Sequence, residues 1–464
     1  MSSARRISPA SLIHVPSAPE VSEALSHACA GFGVLPATRA SVPARHTRPS
    51  GSLLEQIRPG SVSLIVGASG TGKSSLMRGL RASLRHDRVR VVPESLSASQ
   101  LRRASFDLLD GEMIDRAQSL SRTGLAEPKL WALPPGSLSV GERARLRLAM
   151  TMHGSRPGDI VLADELASTI DRASAYALCR TITRWAQQRK IAFVGASAHE
   201  DLESMLAPDR VFEACTGTLR PARARRAQPV RIETGTARDY HALGHLHYRS
   251  GAPATIVRVL RAMREVPVCV DPRGEMLAGV LVVSMPTLNS AWRDRAWAGF
   301  FRTGDKRRDA RRLNACIRTI SRVIVEPRSR GLGISTRLVR AYLRNPLTPG
   351  TEASAAMGGV CPFFELAGMT RYVLGPDMGD TRLLDALSHL RITPAQLAQI
   401  TIEPGSLLMR EMITWGKHRK LLPSGSVSRD EVQRLTPSAA CRLCSRPRAY
   451  AFTKGERRDD EFET

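Results

Sequence analysis

A chain of 464 residues with 42% hydrophobic content has room for two or three domains, each able to bury a core, which excludes wholesale disorder. Lys and Arg outnumber Asp and Glu by 68 to 43, a net charge of +25; this fits a polyanionic partner, nucleic acid before an acidic membrane surface, and also follows from an Arg-rich composition alone. No apolar run approaches the roughly 18 residues of a membrane span, the first twenty residues lack the apolar core of a secretory signal, and eight cysteines without a disulfide-like framework fit a reducing cytoplasm.

In chain order, residues 1–48 are rich in Ser, Pro, Ala and Arg without a period and read as a flexible arm. From 49 to 219 strand-like and helix-like segments alternate, which predicts an α/β domain. Residues 63–80 predict a buried strand, a Gly-rich turn and a helix. Gly67, Ser69, Gly70, Thr71, Gly72, Lys73, Ser74 and Ser75 fill the P-loop pattern within it. Glycines let backbone N–H groups converge on phosphate oxygens, Lys73 supplies a point charge at the β- and γ-phosphates, and the Ser74 hydroxyl suits Mg²⁺.

Residues 160–165 are an apolar strand ending in two carboxylates. Asp164 is placed to hold Mg²⁺ and Glu165 to orient or activate the attacking water. About twenty residues before the strand, Leu138-Ser139-Val140-Gly141-Glu142 opens a helix. Ser168-Thr169-Ile170-Asp171 follows the acidic pair, and a strand from Phe193 ends near His199. This set, in this order, resembles the ABC-type ATPases: P-loop, LSGGQ-like signature, acidic pair, D-loop and switch histidine. The resemblance implies that Glu165 and His199 are catalytic, that ATP is bound by the P-loop with Ser139, Gly141 and Asp171, and that Mg²⁺ is held by Ser74 and Asp164. It also implies an ATP-dependent homodimer, because one cassette's signature closes on another's ATP. The Gln-centred loop of transporter cassettes has only Gln100 as a candidate, and the interval from Lys73 to Ser139 is short. Both features point to an ABC ATPase that acts away from the membrane, in the cytoplasm.

Residues 220–229 read as a basic linker, and a second α/β pattern runs over 230–375. Ile317–Leu343 predicts a strand, a tight turn and a helix, with Arg328, Gly331 and Gly333 in the turn. With the 362–369 run Pro-Phe-Phe-Glu-Leu-Ala-Gly-Met, this resembles the GNAT acyltransferases, including the Mom-type branch that modifies adenine in phage DNA. The resemblance implies an α+β domain with a mixed sheet that binds acetyl-CoA or another acyl-CoA through Val323, Ile324, Val325, Arg328, Arg330, Gly331, Leu332, Gly333, Ile334 and Ser335. Where many GNAT enzymes place a Tyr acid, this chain has Phe364. Candidate replacements are Ser321, Tyr372, Cys361 and the group His245, His247 and Tyr248.

Between the strands of this domain lie Trp292, Trp297, Phe300 and Phe301 beside Arg302, Lys306, Arg307, Arg308, Arg311 and Arg312. Basic residues track phosphates and aromatics stack on exposed bases. The pattern therefore predicts a nucleic-acid acceptor, DNA ahead of RNA; the same residues also describe a solvated basic loop over a small aromatic core. A protein or small-molecule amine is the alternative acceptor, and a non-catalytic GNAT-fold module attached to a DNA-repair-like ABC ATPase is the other reading. Residues 376–464 predict a helical, basic C-terminal extension with an acidic tip, and Cys441 with Cys444 forms half a zinc site.

Overall fold

The computed structural model describes residues 23, 24, 27, 51–84, 86–223, 228–247, 251–290, 292–444 and 447–455. The expected arm, residues 224–227 of the linker, Tyr248 and the acidic tip lie outside the described residues, apart from those three positions in the arm. The chain divides into two compact units, one of residues 1–110 and 128–227, the other of residues 111–127 and 228–464. The expected boundary at 219 does not foresee the short excursion of 111–127 into the second unit.

The first unit is built on a six-stranded sheet. Its strands are β1 (Val62–Val66), β2 (Val89–Val91), β3 (Ile160–Ala163), β4 (Ala192–Ser197), β5 (Arg210–Glu213) and β6 (Thr218–Pro221), in the order β2-β3-β4-β1-β5-β6. All pairings are parallel except β5 with β6. Parallel strands carry helices on both faces and so read as continuous apolar runs, as β1 and β4 do. Helix α1 (Lys73–Ser83) buries Leu76, Met77 and Leu80, positions three and four apart that fall on one side of a helix. They join Leu53, Ile65, Leu162, Val194 and Phe212 in the core. Helix α2 (Val140–Gly154) starts at a full capping box between Ser139 and Glu142. Helix α3 (Arg172–Arg189) is capped by Asp171, whose carboxylate accepts from Ser174 N.

The second unit has a seven-stranded sheet of β7 (Val230–Gly235), β8 (Arg258–Glu265), β9 (Glu275–Ser284), β10 (Ile317–Val325), β11 (Gly350–Ala355), β12 (Thr370–Val373) and β13 (Arg448–Thr453). The order is β12-β13-β11-β10-β9-β8-β7. Strands β7 to β10 are antiparallel neighbours, β10 and β11 are parallel, and β13 lies antiparallel between β11 and β12. The stretch expected to be a helical, basic extension over 376–464 carries three helices and also a strand. Helices α4 (Met378–His389), α5 (Leu407–His418) and α6 (Arg429–Cys444) form an insertion between β12 and β13, with Leu383, Met412, Trp415 and Val432 in a core of their own. The chain then returns as β13 to the interior of the sheet. Its consecutive Ala449, Tyr450 and Ala451 are all buried.

Parallel pairing of β10 with β11 stops at Ile320 and Ala353, although β10 runs on to Val325 and β11 to Ala355. Beyond that point, among the described residues, β10 is paired on one side only, with β9, across a bulge between Ile320 and Arg322. The last paired rungs are pinned by a buried ion pair. Arg293 Nε and Nη2 reach Glu352 Oε2 and Oε1 at 2.7 and 2.8 Å, and Thr319 Oγ1 donates to Glu352 Oε1 at 2.7 Å.

Candidate functional site: a P-loop edge and a glycine turn

Three features of the first unit meet at one edge of its sheet. The P-loop leaves the end of β1, the acidic pair leaves the end of β3, and His199 follows the end of β4, which lies between them. Pairing of Val66 with Ser197 puts the ends of β1 and β4 level, and pairing of Ala163 with Gly195 ends β3 two residues earlier on the same edge. In open α/β sheets this carboxyl edge is where ligands bind.

Gly70 and Gly72 have φ of 83° and 90°, the left-handed region that favours glycine. A Cβ on Gly67 would stand 2.6 Å from Thr71 Oγ1, so the loop closes on itself only because that position is bare. Thr71 Oγ1 donates to the Ala68 carbonyl at 2.9 Å. Lys73 Nζ donates to the Gly67 and Ala68 carbonyls at 2.8 Å each, arching over the loop. Ser74 and Ser75 are in the first turn of α1, where helix N–H groups have no intrahelical partner. Arg78 binds the Ser75 hydroxyl at 3.2 Å, while Ser69 is exposed on the loop.

Asp164 is half-buried, and its Oδ1 accepts from Glu165 N at 2.9 Å. One hydroxyl from Ser74 and one carboxylate from Asp164 suit Mg²⁺, a hard cation that keeps most of its waters. Glu165 is exposed with φ of 47°, and Ala167 has φ of 56°. A left-handed conformation costs a residue with a side chain about 1–3 kcal/mol and persists where neighbours over-determine it. Here Leu166 N bonds the Ala196 carbonyl of β4 at 2.8 Å, and Ser168 N bonds the Glu165 carbonyl at 3.1 Å. The strained turn leaves the Glu165 carboxylate facing outward.

Ser139 commits its hydroxyl to Glu142, accepting from Glu142 N at 3.3 Å and lying 2.8 Å from Glu142 Oε2. Asp171 likewise caps its helix, so both residues hold structural duties in this conformation. A Cβ on Gly141 would lie 3.1 Å from the Thr169 carbonyl, so the start of α2 packs on the turn after the acidic pair. His199 is exposed, with its N–H on Ser197 Oγ at 3.1 Å. The sequence did not single out Arg172, which binds Asp201 at 3.0 Å and the Ala167 carbonyl at 2.9 Å. It ties the turn after Glu165 to the segment after His199. Gln100 accepts from Ser97 N at 2.9 Å in a local turn.

In the second unit, Gly331 and Gly333 have φ of 83° and 75°, and a helix, Ile334–Arg344, starts directly after them. A Cβ on Gly333 would meet nothing within 4 Å, so space lies over the turn. Glu326 N points to β9, bonding the Ala278 carbonyl at 3.0 Å. By alternation Val325 N–H and C=O point to the other side, where β11 has separated. Val323 and Val325 are half-buried there, while Ile324 packs into the opposite core with Val280 and Val282. Leu332 is half-buried against the main core that includes Ile334, and Ser335 stands in the helix's first turn. Arg328 Nε reaches Glu326 at 2.7 Å.

Arg264 of β8 escaped the sequence reading. It is fully buried and donates to the Arg328 carbonyl and Ser329 Oγ, both at 3.1 Å, so a guanidinium forms the floor of the turn. Only its position opposite Met276 in the sheet marks it, and a single sequence carries no such signal.

Phe364 is buried, its ring tilted against Phe363 at 4.4 Å and against Tyr450 at 4.9 Å between centroids. The Tyr450 hydroxyl lies 3.4 Å from both the Gly358 carbonyl and Glu365 Oε1. Burial and the Glu365 carboxylate push this phenol up to about 12, so it stays protonated at neutral pH. Its hydroxyl is fully buried and held inside the same ring cluster as Phe364. Of the expected donors, Ser321 Oγ sits at the β10 bulge 2.6 Å from Ser284 Oγ, and Tyr372 stacks on Trp292 at 5.8 Å. Burial pushes the Cys361 thiol up, against the pull of the nearby Arg330 guanidinium and Ser121. His245 is exposed and His247 half-buried beyond the helix Ala237–Gly244.

The basic and aromatic segment divides in two. Trp297 is buried with Leu313 and Ile317, its indole N–H 3.1 Å from Thr453 Oγ1, and Trp292, Phe300 and Phe301 pack against it. The expectation that Trp297 stacks on bases is therefore corrected: the rings hydrophobically anchor the segment to the sheet. Arg312 lies over the Phe300 ring at 4.4 Å, whereas Lys306, Arg307, Arg308 and Arg311 are exposed on the helix Lys306–Cys316. Among the described residues no third ligand joins Cys441 and Cys444, and no helix is long and apolar enough to cross a membrane.

No protein-family model matches the chain. A curated protein of Bacillus subtilis (strain 168), given the provisional name of ABC transporter ATP-binding protein YjkB, is 32% identical over 159 residues, covering 29% of this chain and 63% of that protein. The chain thus spans less than two thirds of that relative's length. Among solved structures, CbiO1 from Clostridium perfringens, part of an ABC transporter complex, is 20% identical over 34% of this chain and 74% of its own, with a TM-score of 0.28. A dimeric ATP-binding cassette in a post-hydrolysis state with ADP and phosphate is 16% identical over 36% of this chain and 88% of its own, with a TM-score of 0.31. The sequence likeness to the Bacillus protein supports an ABC-type ATPase domain in this chain.

Proposed function

We propose that this chain is an ATP-hydrolysing ABC ATPase fused to a GNAT-type N-acyltransferase, which transfers an acyl group from acyl-CoA to an amine of a nucleobase. The observation that carries the second half is the parting of β10 and β11 beside a glycine turn at a helix N-terminus. An extended pantetheine arm can add to the open side of β10 as a strand would, using the Val323 and Val325 peptide groups, while its pyrophosphate takes the N–H groups of the turn. The amine nitrogen then attacks the thioester carbonyl carbon, and a peptide N–H near Val325 stabilises the negative charge that develops on its oxygen; collapse of the adduct breaks the C–S bond, and the proton that the nitrogen loses balances the one the departing CoA thiolate takes up.

Calorimetry with acetyl-CoA tests this directly. Wild type is expected to bind and Gly331→Trp to lose binding by at least about tenfold, because a side chain there is both strained and in the anion's path. Equal affinities would remove the acyltransferase reading.

The nucleic-acid acceptor rests on the exposed face of Lys306, Arg307, Arg308 and Arg311. Replacing Arg307, Arg308 and Arg311 with Gln is expected to weaken DNA binding regardless of sequence. Its dependence on salt should flatten by about 0.9 in log–log slope for each phosphate no longer neutralised. An unchanged slope in a filter-binding titration would make this face a solvated one and move protein or small-molecule amines ahead as acceptors. In the ATPase half, the signature at Ser139 is proposed to complete the ATP site of a second copy, giving an ATP-dependent homodimer.

A further inference from the structure

Residues 111–127 belong to the second unit, yet the chain on either side of them belongs to the first. The segment is a helix, Met113–Arg122, followed by a turn through Gly124 at φ 88°, and it is anchored by buried Ala117, Leu120 and Leu125. It ends at Glu127, whose carboxylate lies 3.2 Å from Arg330 Nη1. The two side chains are only 18% and 15% exposed, so water screens this pair less than it would a surface pair. Arg330 immediately precedes Gly331, and its Nε also reaches the Val325 carbonyl at 3.4 Å. Glu127 thus holds a guanidinium that lies at both the glycine turn and the end of β10.

We propose that Glu127 is a latch on the acyl-CoA site, competing with the pyrophosphate for Arg330, and that nucleotide binding in the ATPase unit releases it. This rests on the acyl-CoA reading of the glycine turn. A carboxylate in contact with a cation beside an anion site cancels much of that cation's attraction for the ligand, and the anion must displace it to gain the charge-assisted bond. The chain supplies the link to nucleotide. Pro128 re-enters the first unit directly after Glu127, and Ser139 at the start of α2 lies twelve residues beyond Glu127. On this proposal, a shift of Ser139 on ATP binding pulls on the short stretch that ends at the carboxylate. Such coupling is reciprocal, so acyl-CoA must alter ATP affinity by the same factor.

The test is calorimetry of acetyl-CoA with full-length protein, with and without a non-hydrolysable ATP analogue and Mg²⁺. Wild type is expected to bind acetyl-CoA about fivefold or more tightly when the analogue is present, the low end of common coupling factors. Glu127→Gln is expected to bind at the tighter level without the analogue and to respond little to it. Glu127→Gln with Arg330→Gln should lose that gain, since the cation released by the first change is absent. Wild-type affinity indifferent to nucleotide, or Glu127→Gln binding no tighter than wild type, overturns the latch. If wild type binds acetyl-CoA and Gly331→Trp does not, such a result removes the latch alone; if wild type fails to bind acetyl-CoA, the acyl-CoA reading falls and the latch with it.

Discussion

Glu165→Gln is expected to bind ATP as wild type does and to hydrolyse it roughly 10²–10⁴-fold more slowly, the usual worth of a positioned general base. The amide keeps the size of the side chain and the strained backbone at φ 47°, so the turn between β3 and α3 should stand. What it should lose is the negative charge proposed to orient and deprotonate water, while the phosphate contacts proposed for Lys73 and the glycines of the loop should remain. If ATP closes two copies across Ser139, slowed turnover traps them. Size-exclusion chromatography with ATP and Mg²⁺ should show a dimer for Glu165→Gln that disappears when the nucleotide is removed. A Glu165→Gln protein that stays monomeric and turns over at the wild-type rate would remove both the catalytic role and the sandwich.

The ATPase edge was legible because its chemistry is local. Gly67 to Ser75 form one contiguous turn and helix start, and Asp164 and Glu165 directly follow an apolar strand, so a short window holds each part. Parallel pairing then brings the ends of β1, β3 and β4 to one edge of the sheet. The glycine turn of the second unit was legible for the same reason. Non-local features were not. Arg264 reaches its turn from β8 across the sheet, Tyr450 arrives on a strand that follows a three-helix insertion, and Glu127 lies about two hundred residues before Arg330. The strand β13 was missed because Arg448–Thr453 is six residues long and follows helical pattern, with only Tyr450 and Phe452 to suggest β structure. The aromatic segment misled because composition cannot say which way a ring points. Trp297 and Arg311 are fourteen residues apart, one facing the sheet and the other facing water.

Arg293→Met is expected to destabilise the second unit by about 3–5 kcal/mol, because it strands the Glu352 carboxylate inside the protein. The two side chains are 3% and 5% exposed and meet through two bonds, at 2.7 and 2.8 Å. With Arg293 gone, Glu352 keeps the Thr319 hydroxyl, which is one neutral donor for a full charge. The loss should appear in urea unfolding followed by the fluorescence of Trp292 and Trp297, which lie one and four residues from Arg293 in sequence and pack with Ile317 at the start of β10. Arg293→Met with Glu352→Met removes both charges and should recover most of the stability, since well-packed apolar replacements of a buried pair are often neutral or better. The double variant carries the functional question. Thr319 and Glu352 face each other one rung before β10 and β11 separate, so the ion pair clamps the strands where the opening begins. A double variant as stable as wild type that still binds acetyl-CoA equally would mean the pair serves folding alone. Recovered stability with weakened acetyl-CoA binding would show that this carboxylate sets where the sheet parts, a constraint that an apolar pair, with no hydrogen bond to Thr319, cannot supply.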